Sequence, residues 1–143
     1  MSDKYKILRQ VIDAWAARDI DSVLSHMADD IVWHYAAAIA PPLKGKASAR
    51  KLLEKMAVET SDLHWRIFDH AERGERLFIE GAEDYLTPDG VRVATAYAGV
   101  LEFRGDLICA WRDYLDVGVM EAQKAGKPTP NWIATLIDRP VAP

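Results

Sequence analysis

The hexapeptide Trp111–Asp116 places one carboxylate on an otherwise apolar strand face. Residues two apart on a strand share a face, and a charge taken out of water is costly. The carboxyl of Asp113 must therefore find partners or change its pKa, as the acid–base catalysts of enzymes do. A structural ion pair, or a strand end that reaches solvent, is the alternative interpretation. The alternate residues of this predicted strand are Leu107, Cys109, Trp111, Asp113 and Leu115.

A second candidate acid lies in the segment Arg76–Thr87, where both strand faces mix polar and apolar residues. If Asp84 points inward, it faces Asp113 across the concave side of a sheet. A register shift of one residue would put Glu83 there instead. Two close carboxylates do not both ionise cheaply, so such a pair offers a base and an acid. Solvated acids near a strand end are the alternative.

Two aromatic side chains share a face of the predicted strand Ile31–Tyr35. Trp33 and Tyr35 could line a pocket, with the indole as a wall or donor and the phenol as a hydrogen-bonding group. Core aromatics bonded to backbone groups are the alternative. His34 falls on the opposite face.

Composition limits the class of protein. The chain has 143 residues, half of them hydrophobic, with a net charge of −4, which predicts a single domain spanning residues 1–143. Lys and Arg are scattered, so neither nucleic acid nor an anionic membrane is expected as a partner. No apolar run approaches the length of a membrane span. Because Cys109 is the single cysteine, we expect a buried thiol and a cytoplasmic location.

The sequence predicts neither a metal site nor a cofactor site. Its four histidines share no recognisable ligand spacing. It contains no glycine-rich phosphate loop, no nucleophile elbow and no dinucleotide fingerprint.

Hydrophobic periodicity predicts an α+β fold. Three amphipathic segments in the first 58 residues read as helices, interrupted by the strand Ile31–Tyr35. Long strands with short turns at Gly74, Gly90 and Gly105 follow, which favours helices covering one face of a curved antiparallel sheet. The predicted strands are Leu63–His70, Arg76–Thr87, Val91–Phe103 and Leu107–Leu115.

The chain resembles the nuclear-transport-factor-2-like superfamily over about its first 115 residues. Within it, Trp111–Asp116 is similar to the corresponding strand of limonene epoxide hydrolase and of SnoaL-like polyketide cyclases. Ala28–Asp30 and the prolines Pro41 and Pro42 before Gly45 add weaker support. The resemblance implies a cone-shaped, strongly curved mixed sheet with N-terminal helices on its concave side. It also implies a small hydrophobic substrate and a homodimer.

The resemblance also assigns residues. Asp113 matches the aspartate that activates water, and Asp84 matches the aspartate that protonates the epoxide oxygen. Ala82 stands where those hydrolases have a bridging arginine. Trp33 and Tyr35 stand where they have a water-holding tyrosine and asparagine. By the same alignment, the residues that face the pocket beside these are Thr95, Tyr97 and Trp111.

These observations lead to a functional hypothesis. We expect a cofactor-independent acid–base enzyme that uses Asp113 as general base on a small hydrophobic substrate. Epoxide hydrolysis and a related cyclisation or isomerisation both fit. The alternatives are a non-catalytic domain that binds a hydrophobic ligand and a structural dimer module with a filled cone. Arg66 or Arg92 could replace the arginine absent at Ala82.

Overall fold

The computed structural model describes residues 3–143, which form one curved sheet with helices packed on it. The helices are α1 (Asp3–Ala16), α2 (Ile20–Ser25), α3 (Lys46–Glu59), α4 (Val117–Lys124) and α5 (Asn131–Ile137). The strands are β1 (Met27–His34), β2 (Leu43–Lys44), β3 (Ser61–Arg73), β4 (Arg76–Leu86), β5 (Arg92–Arg104) and β6 (Leu107–Leu115).

The sheet has six strands in the order β2-β1-β6-β5-β4-β3. Strands β3 to β6 pair with their chain neighbours in antiparallel fashion, whereas β1 pairs with β6 in parallel. Gly74 and Gly105 adopt positive φ angles in two of the connecting hairpin turns, a conformation that glycine reaches without a steric penalty. The sheet is therefore mixed, curved and unclosed, and the predicted α+β class is confirmed.

Helix α1 forms because its apolar residues recur every three or four positions. Tyr5, Leu8 and Val11 are each at most 2% exposed, and they pack with α2, α3 and the inner face of the sheet in one hydrophobic core. The N-terminal helices thus cover the inner face, as expected.

The strand boundaries differ from the sequence-based prediction at β1. This strand begins at Met27 and ends at His34, so Tyr35 lies in the following turn. The backbone N–H of Ala37 in that turn donates to the carbonyl oxygen of Asp113 at 3.0 Å. The two-residue strand β2 was not predicted from the sequence, because Leu43–Lys44 is too short to show a periodic pattern.

A bulge interrupts β6. Its register against β5 shifts at Cys109, so that Ile108 is fully buried and Leu107 is 41% exposed. An extra residue in one strand reverses the alternation of side chains beyond it. The inward face predicted to run from Leu107 to Leu115 therefore begins only at Trp111.

Among residues 3–143, no helix is both long enough and apolar enough to cross a membrane.

Candidate active site

The concave side of the sheet holds a cavity of about 310 Å³. Its closed end lies among buried side chains of α1, α2 and β1, which include Val11, Val23 and Met27. Its mouth lies between the C-terminal part of α3 and the helix α4. The lining residues there are exposed and charged, and they are Lys55, Glu59, Glu121 and Lys124.

Asp113 projects into this cavity from β6, together with Trp111 and Leu115. Its carboxylate has room because β5 carries Gly99 directly opposite. A Cβ atom on Gly99 would lie 3.1 Å from Asp113 Oδ1, closer than a side chain normally tolerates. The strand pairing therefore leaves Asp113 space to point inward.

The carboxyl of Asp113 is shielded from bulk water, and this burial raises its pKa to about 7. The negative charge of Glu83 raises the pKa further. The indole N–H of Trp111 donates to Asp113 Oδ1 at 2.9 Å and lowers the pKa. Trp33 also lowers it, although its buried N–H makes no hydrogen bond within residues 3–143. A carboxyl in this state can both take up and release a proton near neutral pH.

Indole rings form the walls around the acid. The ring centroid of Trp111 lies 6.2 Å from that of Trp33 and 6.0 Å from that of Trp65, with tilted planes. Such walls suit a flat or cyclic apolar ligand.

Glu83 is the second acid in the cavity. Burial raises its pKa to about 7, and the charge of the adjacent Asp84 adds to the effect. Its carboxyl receives no hydrogen bond from any residue that the structure describes. It is therefore available to a ligand.

Asp84 does not lie in the cavity, and the prediction that it faces Asp113 is wrong. It is 8% exposed on the outer side of the sheet, where Arg66 donates to Oδ1. Its other oxygen, Oδ2, lies 3.0 Å from both Arg92 Nη1 and His64 Nδ1. The register of β4 puts Leu77, Ile79 and Glu83 inside, so Asp84 must point out.

Neither arginine replaces the cation of the hydrolase pattern, because both Arg66 and Arg92 bind Asp84 outside the cavity. The inward position two residues before Glu83 is Gly81, and Ala82 faces outward with Asp84. A Cβ atom on Gly81 would overlap the carbonyl oxygen of Arg66 and would lie 3.3 Å from the hydroxyl oxygen of Tyr97. The phenol of Tyr97 thus fills the space beside the two acids.

The hydroxyl of Tyr97 has a fixed orientation. The indole N–H of Trp65 donates to it, so the phenolic proton is free to donate elsewhere. Burial raises the pKa of Tyr97 well above its usual range, and the charge of Asp113 adds to this. The phenol is therefore a neutral hydrogen-bond donor inside the cavity.

The remaining predicted ligand-binding residues lie in different places. Trp33, Tyr35, Tyr97 and Trp111 all line the cavity. Thr95 is 2% exposed and pairs with Glu83 in register, but it does not line the cavity. Its hydroxyl donates to the carbonyl oxygen of Ala96 at 3.1 Å.

Trp65, Tyr85 and Lys124 are among the cavity residues that sequence reasoning missed. Trp65 and Tyr85 line the cavity from β3 and β4, and Lys124 lines it from α4. Tyr85 could have been identified from the sequence, because it lies on the same face of β4 as Glu83. No sequence pattern shows that α4 returns to the mouth of the cavity.

The two lysines at the mouth both lie near acids, with Lys124 Nζ 3.3 Å from Glu121 Oε1 and Lys55 Nζ 3.9 Å from Glu59 Oε1.

A sequence model of the SnoaL-like domain matches residues 8–111 of the chain. No curated protein matches the chain in sequence.

Solved structures share the fold. A limonene-epoxide-hydrolase-like epoxide hydrolase from M. tuberculosis is 22% identical, with a TM-score of 0.73 over 85% of this chain and 88% of the other. A protein from Shewanella putrefaciens, assigned as a SnoaL-like polyketide cyclase, is 14% identical, with a TM-score of 0.78 over 89% and 99%. TerC, crystallised with polyporic acid, is 18% identical, with a TM-score of 0.74 over 86% and 99%. At these identities the likeness is one of fold.

Proposed function

The chain belongs to the SnoaL-like domain family, and from that premise and the acids Asp113 and Glu83 in its cavity we propose that it is a cofactor-independent acid–base enzyme. In this proposal Asp113 removes a proton from carbon in a small hydrophobic carbonyl compound. The reaction is an isomerisation or a cyclisation. The structural neighbours include an epoxide hydrolase and an assigned polyketide cyclase, which supports a catalytic role for this kind of cavity.

The observation that carries the proposal is that Asp113 and Glu83 line the same cavity. Burial raises the pKa values of Asp113 and Glu83 to about 7 each. The charge of Glu83 opposes ionisation of Asp113, so near neutral pH we expect one ionised and one protonated carboxyl in the pair. A base and an acid then lie in the same cavity without any arginine beside them.

The proposed step uses three side chains. Ionised Asp113 takes the proton from the carbon next to the carbonyl group, and the C–H electron pair forms the enolate double bond. Charge then develops on the carbonyl oxygen, where the Tyr97 hydroxyl donates a hydrogen bond and protonated Glu83 supplies a proton. For an isomerisation, Asp113 then delivers its proton to another carbon of the conjugated enol while the enol O–H proton returns to Glu83. For a cyclisation, the enol carbon attacks a second carbonyl group, the enol O–H proton returns to Glu83, and the new alkoxide takes the proton from Asp113.

The walls of the cavity support an aromatic or polycyclic substrate. Trp33, Trp65 and Trp111 line the cavity, and Val11, Trp15, Val23 and Met27 line its closed end. A sugar or a nucleotide would bury hydroxyl or phosphate groups without partners, at a substantial cost in binding free energy. A terpenoid or polyketide-like molecule fits these walls better.

The first test is exchange of carbon-bound hydrogen in deuterated water. A panel of aryl and polycyclic ketones that includes 2-acetonaphthone is incubated with the protein, and deuterium incorporation is measured by NMR. General-base catalysis contributes about a hundredfold or more, so Asp113→Asn should slow exchange by at least that factor. Asp106→Asn changes an exposed turn residue of the same type and is the control. Exchange in Asp113→Asn within about threefold of the wild type would exclude Asp113 as the base.

Epoxide hydrolysis is the second candidate, since the same two acids could activate water and protonate an epoxide oxygen. It is supported by the likeness in fold to the M. tuberculosis hydrolase. Incubation with epoxides in ¹⁸O-labelled water separates the two reactions, because only hydrolysis gives a labelled diol. Binding of the ketones or epoxides without incorporation of deuterium or ¹⁸O would favour the third interpretation, a non-catalytic domain that binds a hydrophobic ligand.

A further inference from the structure

Gln123 is a buried side chain outside the catalytic arrangement, and its contacts set the position of the helix at the cavity mouth. It is 1% exposed and lies in α4, which packs against β5. Four residues of α4 line the cavity, namely Val117, Met120, Glu121 and Lys124. The position of α4 therefore determines the shape of the outer part of the cavity.

The amide of Gln123 completes the edge of β5. Strand β6 pairs with β5 only from Tyr97 onward, which leaves the preceding part of β5 without a strand on that side. The Ala94 N–H donates to Gln123 Oε1 at 2.9 Å, and Gln123 Nε2 donates to the Ala94 carbonyl oxygen at 2.8 Å. One side chain thus satisfies both backbone groups, as a neighbouring strand would.

Two further hydrogen bonds fix the amide itself. Its Nε2 donates to the Val119 carbonyl oxygen within α4 at 3.1 Å. The hydroxyl of Thr129, beyond the end of α4, donates to Gln123 Oε1 at 3.1 Å. Because buried polar groups are costly to leave unpaired, this arrangement holds α4 firmly against the sheet.

We propose that Gln123 is a positioning residue that determines ligand size. It holds α4 as a fixed wall, so the cavity favours molecules long enough to contact both the region around Asp113 and this wall. A one-ring ligand held near Asp113 and the indoles gains nothing from α4, whereas a two-ring ligand does. The inference rests on the proposed function only in taking the cavity as the ligand site.

The experiment measures binding of two probes by equilibrium dialysis, acetophenone with one ring and 2-acetonaphthone with two. We expect the wild type to bind the two-ring ketone at least about tenfold more tightly, since the second ring buries additional apolar surface. Gln123→Met keeps the size of the side chain but removes its hydrogen bonds. It should reduce the preference to about threefold or less by weakening only 2-acetonaphthone binding.

Three other variants complete the test. Gln123→Glu keeps an acceptor for Ala94 but loses the donor, and Gln10→Glu makes the same change at an exposed position of α1. Thr129→Val removes a single hydrogen bond and guards against loss of folding, which circular dichroism checks. We expect reduced preference in Gln123→Glu, a smaller reduction in Thr129→Val and the wild-type preference in Gln10→Glu.

Three outcomes would overturn the inference: an unchanged preference in folded Gln123 variants, equal weakening of both ketones, or no two-ring preference in the wild type. A two-ring preference that depends on Gln123, without deuterium exchange into either ketone, would support the inference. That same result would count against proton abstraction, so the two proposals fail separately.

Discussion

At the scale of single residues, the site depends on the difference between two adjacent acids. Glu83 lies in the cavity and Asp84 lies on the outer side of the sheet. Arg66 and Arg92 neutralise Asp84, whereas no described cation pairs with Glu83. A carboxyl group therefore forms an ion pair on the outer face of the sheet, and another one takes up and releases a proton on the inner face.

The first residue-scale prediction concerns Glu83→Gln. The charge of Glu83 raises the pKa of Asp113, so its removal should make Asp113 easier to ionise. The ascending limb of the pH–rate profile for ketone exchange, near pH 7 in the wild type, should move to lower pH. The rate at the plateau should fall about tenfold or more if Glu83 is also the acid. A limb that stays in place or moves upward would contradict the coupling.

The second residue-scale prediction concerns Asp84→Asn. This change leaves Arg66 and Arg92 without their shared carboxylate. Because both arginines are partly exposed, the free energy of unfolding should fall by about 2 kcal/mol, less than on breaking a fully buried pair. Exchange activity per folded molecule should fall far less than in Asp113→Asn, because Asp84 does not reach the cavity and acts there only by raising the pKa of Glu83. Urea unfolding and the exchange assay measure the two effects on the same sample. A loss of activity as large as that in Asp113→Asn would restore Asp84 as a catalytic candidate.

These residues also show which features of the site could be predicted from the sequence. Asp113 could be placed in the cavity from the sequence because its strand face carries no other charge. The same criterion, applied to β4, favours Glu83, since the face of Asp84 also carries Glu80 and Arg76. The partners of Asp84 could not be identified, because cross-strand contacts depend on register and a shift of one residue exchanges the faces.

At the scale of elements, the close approach of β3, β4 and β5 controls the site. Gly81 lies between the Arg66 carbonyl oxygen on β3 and the Tyr97 ring on β5. Gly99 lies against the ends of two side chains, Asp113 and Ile79. A backbone atom yields less readily than a side-chain end, so the two glycines should differ in tolerance.

The element-scale prediction compares Gly81→Ala with Gly99→Ala. Gly81→Ala should lower the free energy of unfolding by about 3 kcal/mol, because β3 and β4 must separate. Gly99→Ala should cost less stability but should displace the Asp113 carboxyl and slow exchange. Chemical denaturation and the exchange rate separate the two effects. Equal stability losses would show that both strands relax alike.

The elements themselves were largely predictable, and their ends were not. Helical spacing identified α1, and alternation with glycine turns identified β3 to β6. The bulge at Cys109 and the short strand β2 arise from pairing with distant segments, which no local pattern encodes. The return of α4 to the cavity depends on Gln123 and Ala94, 29 positions apart, and is likewise invisible in the sequence.

At the scale of the whole molecule, the two acids of the site lower the free energy of unfolding as the pH rises. Folding raises the pKa values of Asp113 and Glu83 from ordinary values of 3.8 and 4.5 to about 7. Below the ordinary values both groups are protonated in the folded and unfolded states, and the unfolding free energy is unaffected. As the pH rises toward 7, the unfolded chain has released these protons while the folded chain still holds them. The unfolding free energy must therefore fall over this range.

The whole-molecule prediction follows from that sign. Between about pH 5 and 7.5 the wild type should lose up to about 3 kcal/mol per acid, an upper bound from about 1.4 kcal/mol per pH unit over the roughly two units between pH 5 and the folded pKa values. The double variant Asp113→Asn/Glu83→Gln should show a much flatter profile and exceed the wild type at pH 7.5. Urea unfolding across this range provides the measurement. Acids whose pKa is lowered in the folded state, such as Glu102, change the free energy of unfolding only below this pH range. Parallel profiles would disprove the assignment.

The homodimer expected from the family resemblance also belongs to this scale and stays a prediction. Exposed apolar side chains occur on the outer side of the molecule, among them Phe78 and Tyr114 on the strands and Trp132 on α5.

The missing side chain at Gly81 has a consequence for how readily the site can change. A hydrolase-type arginine cannot be introduced here by one substitution, because any Cβ would meet the Arg66 carbonyl oxygen and approach the Tyr97 phenol. The separation of β3 from β4 would have to change first, and Tyr97 would have to become smaller. Each such step taken alone would weaken the present site. Because these changes depend on one another, a single substitution is not expected to replace the Tyr97 phenol by an arginine in a working site.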